Sequence, residues 1–179
     1  TAVEVLRAGV PFGIFCEGTH RMKHSILPLV KGIFRIALQA DEVLNGEMPV
    51  YIVPIGIEYG NYTRYRSTIS VQVGEAFNVS QFNAQHQDKT QPELMNLMRD
   101  ELSGRISSLY HCVPDNEDYD AVLDLCYLKN SMQSPYRTML KNRQTVDELL
   151  QLKAGNSSQY EQLISKAKQF SALRHKLNI

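Results

Sequence analysis

The residues best placed to do chemistry lie in one short stretch, Phe15-Cys16-Glu17-Gly18-Thr19-His20, with Arg21, Lys23 and His24 directly behind it. Glycine lets a ligand approach the backbone, threonine offers a hydroxyl, and a turn or helix start would leave free N–H groups. With two cations following, this is the donor set of an anion pocket, because phosphate favours clustered charge-assisted hydrogen bonds. The same residues also read as a polar turn after a buried strand. His20 and His24 stand four apart and could share a helix face as zinc ligands do, but no Glu follows His20 and no third ligand is evident in the sequence. They read as a surface pair, and no metal or other cofactor is expected. His86, His111 and His175 lie in polar surroundings and read as surface histidines. Cys16, in an apolar run, reads as inert packing, since burial raises a thiol pKa.

The elements that must position these groups follow from hydrophobic period and turn chemistry. Ala2 to Ala8 fits the tail of an amphipathic helix capped by Gly9, and the apolar run Pro11 to Cys16 reads as a buried strand ending at the polar stretch. Apolar residues recur at three and four from Ser25 to Ala40, predicting a helix with Pro28 in its first turn and Lys31 and Arg35 on its other face. Asn45-Gly46 is a turn, and Val50 to Ile57 reads as a strand buried on both faces, against which Pro54 is a warning. Ser67 to Val73 alternates as a half-exposed strand ending at Gly74, and the Tyr59 to Arg66 cluster between the two strands reads as a solvated loop.

Past Phe82 the pattern is helical. Thr90 with Glu93 forms a capping box for a helix to about Tyr110, and Pro114 to Asp120 is an acidic loop. Helices are predicted over about Tyr119 to Asn130, Tyr136 to Lys141 and Val146 to Ala154, the last behind a Thr145/Glu148 box. A further one begins after Ser158. The domain reading is an α/β portion over 1–110 and a helical extension over 114–179.

Composition removes several classes. The 19 basic and 19 acidic residues balance, so nucleic acid is not an expected partner. Three widely spaced cysteines without a C-x-x-C pair argue against both a disulfide framework and a zinc site and suit a reducing compartment. No apolar run approaches the ~20 residues of a spanning helix. The chain opens with Thr1 in what reads as mid-helix, so a segment upstream is expected.

Taken together, Ile14 to His20 resembles the F-P-E-G-T-R block of the 1-acylglycerol-3-phosphate (lysophosphatidate) acyltransferase family. Leu27 to Gly32 is similar to the family's Lys-Gly segment, Val53-Pro54-Ile55 to its last apolar block, and Ser70 to Phe77 to the strand and Gly-Glu turn that follow. The resemblance covers about residues 3 to 110. It implies an α/β fold, with a mixed or largely parallel sheet flanked by helices, carrying a helical C-terminal extension. It further implies fatty acyl transfer from acyl-CoA or acyl-carrier protein to a lysophospholipid acceptor, by a protein peripheral to the inner, cytoplasmic face of a membrane. Carried over by position, Glu17, Gly18, Thr19 and His20 bind the acceptor phosphate with Arg21 or Lys23 supplying charge, while Pro54 and Ile55 lie on the acyl side. Two departures stand out. The block's arginine is His20 here, and none of the five histidines is followed by Asp five positions on, so the family's H-x4-D general base is not in this sequence. The expectation is therefore part of an acyltransferase truncated before its base; the alternative is a noncatalytic lipid- or partner-binding module that keeps the phosphate pocket.

Overall fold

The structure is a computed structural model that describes residues 1–19, 21–130 and 135–177. His20 lies outside the described residues, as does the side chain of His175. The element order is α1 (Ala2–Arg7), α2 (Gly32–Leu44), β1 (Tyr51–Ile52), β2 (Ile55–Tyr59), β3 (Ile69–Val73), β4 (Phe77–Asn78), α3 (Val79–Gln85), α4 (Gln91–Ser107), α5 (Tyr119–Asn130), α6 (Pro135–Gly155) and α7 (Ser157–Leu177). The strands form two two-stranded sheets, β1 with β4 and β2 with β3. The chain divides into two compact units, one of residues 1–22, 26–56 and 72–109, the other of 23–25, 57–71 and 110–179. Among the described residues no helix is long and apolar enough to cross a membrane.

In the first unit α2 supplies the core. Phe34, Ala37, Leu38, Ala40 and Leu44 are buried along one face, and the helix ends at Asn45 in the left-handed region (φ 41°) with Gly46 behind it, the expected turn. α2 packs on α1, α3 and α4, and α4 contributes Leu94, Met95, Met98, Leu102 and Ile106. The expected cap of α4 is present, the Glu93 carboxylate accepting from the Thr90 N–H at 2.9 Å and its hydroxyl at 2.7 Å. α3, which hydrophobic period did not reveal, is capped by Asn78, whose side chain accepts from the Gln81 N–H. Antiparallel β1 and β4 place Tyr51 opposite Asn78 and Ile52 opposite Phe77.

Four expectations are corrected. Residues 11–16 form no strand: Phe12 is 47% exposed and Phe15 89%. Pro11 lacks a donor, Gly13 has no side chain to pack, and among the described residues no neighbouring strand takes up the run's backbone groups. The helix expected from Ser25 begins only at Gly32, because the segment before it is held against residue 16, the Val30 N–H donating to the Cys16 carbonyl; Lys31 is the N-cap residue. The Val50 to Ile57 run is broken at Val53-Pro54 into β1 and β2 and is not buried on both faces. Ile52, Pro54, Gly56 and Glu58 are buried, while Tyr51, Val53, Ile55, Ile57 and Tyr59 are exposed. The helices expected at 136–141 and 146–154 are one, α6. Thr145 is not a cap but a buried interior residue whose hydroxyl donates to the Lys141 carbonyl at 2.9 Å.

In the second unit α5, α6 and α7 pack on one another around Val122, Cys126, Val146, Leu149, Tyr160 and Ile164. Polar pairs tie α7 into this bundle. Asp118 is held by Lys168 at 2.7 Å and accepts from the Tyr160 hydroxyl at 3.1 Å, and Asp124 is held by Arg174 at 3.0 Å. The hydrogen bond from Lys168, joined by that from Tyr160, keeps the Asp118 carboxyl below its ordinary 3.8.

Two predictions test this packing. A Cβ at Gly56 would stand 2.5 Å from the Leu109 Cβ, so Gly56→Ala should destabilise the fold by about 1–3 kcal/mol. Gly104, inside α4 with nothing within 4 Å, should gain about 1 kcal/mol on the same change, and urea titrations of both variants check the contrast. Since the folded Asp118 carboxyl is the stronger acid, its stabilising contribution is full above pH 3.8 and is lost as pH falls through the lower folded value. Lys168→Ala should therefore be less stable than the parent at neutral pH, with the difference shrinking in the acid limb of a stability-versus-pH series.

Candidate functional site

Two groups of residues merit description, one in each unit. The first is the polar stretch from Phe15, held against residues 27–30 within the first unit. The Cys16 carbonyl accepts from the Val30 N–H at 2.8 Å. Gly18 takes φ +69°, and a Cβ there would stand 3.0 Å from a Val30 methyl, so a tight turn and a close approach both call for glycine. Glu17 is half-buried. Burial raises its carboxyl pKa, opposed by a hydrogen bond with the Leu27 backbone and by the charge of Arg21. Gly18 and Thr19 are exposed, and Arg21 is half-buried. Burial also raises the Cys16 thiol, leaving it a poor nucleophile.

The remaining expected site residues are distributed differently. Pro54 is buried before β2 and Ile55 is half exposed at its start. Lys23 belongs to the second unit. There its ammonium pairs with Asp115 at 2.7 Å and sits 4.8 Å from the centre of the Tyr119 ring.

The second group lies wholly within the second unit and was not legible as a site. His24, Glu58 and His111 are 4%, 3% and 3% exposed, which corrects the reading of His24 and His111 as surface histidines. Glu58 comes from β2. The alternation of that strand turns Glu58 to the buried face in phase with Ile52, Pro54 and Gly56. Its carboxylate accepts from His111 Nδ1 and from the His111 backbone N–H, the latter at 3.4 Å. The His24 ring stacks on that of His111 with centroids 4.0 Å apart, and Tyr62 packs beside it at 5.2 Å.

The backbone of His24 is pinned at both ends. Its N–H donates to the Tyr119 hydroxyl at 2.8 Å, and its carbonyl accepts from the Val113 N–H at 2.6 Å. Tyr62 is drawn in as well, its hydroxyl donating to the Lys23 carbonyl at 3.2 Å, so the Tyr59 to Arg66 loop is only partly the solvated cluster expected. Burial, reinforced by His111, pushes the His24 imidazole down to about 4, with Glu58 opposing. Burial likewise pushes the Tyr62 phenol up to about 12. His86 is half-buried, with its Nδ1 2.8 Å from the Phe82 carbonyl.

The ligand atoms of His24, Glu58 and His111 lie within 4.8 Å of one another, and this is the group of the described residues that could hold a metal ion. Sequence spacing could not show it, because the three come from separate segments. Nor did the chain order carry a signal: Ile55, Ile57 and Tyr59 alternate with Gly56 and Glu58, a pattern that by hydrophobicity would turn Glu58 outward, and the fold takes the opposite phase.

Removing the Tyr119 hydroxyl tests this framework directly. Tyr119→Phe leaves the His24 N–H buried without its acceptor and should cost about 1–3 kcal/mol, read from chemical denaturation.

The model of the Acyltransferase family matches residues 1–58, which takes in the polar stretch, the 27–32 segment and the Val53 to Ile55 block. The match supports acyl transfer in general and does not extend to residues 59–179. No curated protein and no solved structure matches the chain significantly.

Proposed function

We propose that residues 1–58 form the acceptor-binding part of an acyltransferase of phospholipid synthesis, one that moves a fatty acyl group from acyl-CoA or acyl-carrier protein to a lysophosphatidate-like acceptor. The observation that carries the reading is the family match over a segment whose Glu17-Gly18-Thr19 turn is held by residues 27–30. In this reading Glu17 does not meet the phosphate itself. It fixes the turn through Leu27, while the exposed Gly18 backbone and Thr19 hydroxyl face the anion and Arg21 supplies positive charge. His20 completes the block. Pro54 and Ile55 lie on the acyl side, in the α/β frame that the resemblance implies.

Exposed apolar side chains support peripheral contact with a membrane surface. Phe12, Phe15 and Met22 flank the turn at 47%, 89% and 68% exposure, the kind of apolar tip that inserts at a headgroup boundary. The base that would activate the acceptor hydroxyl is not among these residues, because no histidine of the sequence has Asp five positions on. A general base contributes about 10²–10⁴ in rate, so the chain of residues 1–179 should show no acyl transfer above background. That same absence favours a second reading, a noncatalytic lipid- or partner-binding module with the phosphate pocket intact.

Calorimetric titration of the chain with glycerol 3-phosphate tests the pocket. Arg21→Ala should weaken binding about tenfold, the scale of one charge-assisted hydrogen bond, and Glu17→Ala should weaken it by releasing the turn. Equal affinity in both variants would remove the site. Turnover of acyl-CoA by residues 1–179 would show that the base is present after all and would sink the noncatalytic reading.

A further inference from the structure

The second unit carries a group that acyl transfer does not use. His24, Glu58 and His111 bring two imidazoles and one carboxylate together in a space closed to solvent, with their ligand atoms within 4.8 Å of one another. The hydrogen bond to Glu58 makes His111 Nδ1 the donor, which leaves the lone pair of the neutral ring on Nε2. Nε2 is itself buried and has no hydrogen-bond partner among the described residues. A buried polar atom left in that state is costly, so it calls for a partner. Tyr62 and Tyr119 close the surroundings, and the two tethers on the His24 backbone hold its ring beside that of His111.

We propose that His24, Glu58 and His111 form a binding site for one divalent transition-metal ion of the zinc class. The donor set selects the class. Imidazole nitrogen with a single carboxylate suits zinc and its neighbours, whereas calcium and magnesium take oxygen ligands almost throughout. To bring the ligand atoms onto an ion at about 2.0–2.2 Å from each, the two stacked imidazoles would turn edge-on to it. Glu58 balances one unit of the ion's charge, as a direct ligand or as the acceptor that orients His111 from its far side, the arrangement common behind metal-bound histidines. The ion would join the strand carrying Glu58, the segment of His24 and the segment of His111 through three protein ligands, with a water as the fourth. It is independent of the acyl-transfer reading and stands or falls separately from it.

The test uses the whole chain, stripped with a chelator and then supplied with zinc or cobalt(II) alone. Elemental analysis after dialysis should find one ion per chain, and the bound ion should raise the melting temperature. Cobalt(II) should give the intense visible bands of a four-coordinate nitrogen and oxygen site. His24→Gln and His111→Gln should lose both the retained ion and the bands, while His86→Gln should keep them. Retention of no ion by the parent chain would overturn the proposal, as would equal retention in the two cluster variants. Should those variants fail to fold, zinc-edge X-ray absorption of the parent chain decides: imidazole scattering supports the site, and a shell of oxygen alone refutes it.

Discussion

A carboxylate shut away from water needs donors at fixed positions, and in this chain His111 supplies them to Glu58. Both the ring and the backbone N–H of His111 point at it. The consequence spreads outward from that pair. The phase of β2 is set, because only one alternation puts position 58 inside. Residues 110–113 are set, because His111 must reach the strand, and Val113 then offers its N–H to His24. Residues 23–25 and 57–71 are thereby joined to a three-helix bundle from which they are remote in sequence. Tyr119, the first residue of α5, closes the arrangement with its hydroxyl on the His24 N–H.

Much of the local structure was legible because local chemistry decides it. The Thr90/Glu93 cap, the left-handed end of α2 at Asn45, the alternation of β3 and the span of α5 all depend on residues within a few positions of one another. Where the reading failed, the deciding partner was elsewhere. An apolar run such as Val10 to Ile14 becomes a strand only if another strand receives its backbone groups, and the run itself does not say whether one does. Thr145 followed by Glu148 has the letters of a cap, yet a buried threonine within a longer helix satisfies its hydroxyl on the preceding turn. Period alone cannot tell those cases apart.

The candidate site divides along the same line. The Glu17-Gly18-Thr19 turn is contiguous, so it could be named from sequence, whereas the positive φ of Gly18 and its close approach to Val30 are a need for glycine that the sequence reading did not give. The His24, Glu58 and His111 cluster is built from three segments, and two of its members fall within the family-matched residues 1–58 while the third lies well beyond them. A motif search reads along the chain and cannot assemble such a group. Folding places the three together, and burial then alters their character: a histidine that would titrate near neutrality in water stays uncharged well into the acid range.

The alternation of β2 bears on how this chain avoids folding wrongly. Its exposed phase carries Ile57 and Tyr59, and its buried phase carries Glu58. A hairpin that slipped by one residue would seat an isoleucine or a tyrosine inside, which hydrophobicity alone would welcome. The slip would also turn Glu58 out into water and leave His111 Nδ1 with no acceptor. Polar pairing thus argues for the native register where apolar burial argues against it: the slipped hairpin would be the more apolar inside but would leave one imidazole without its acceptor.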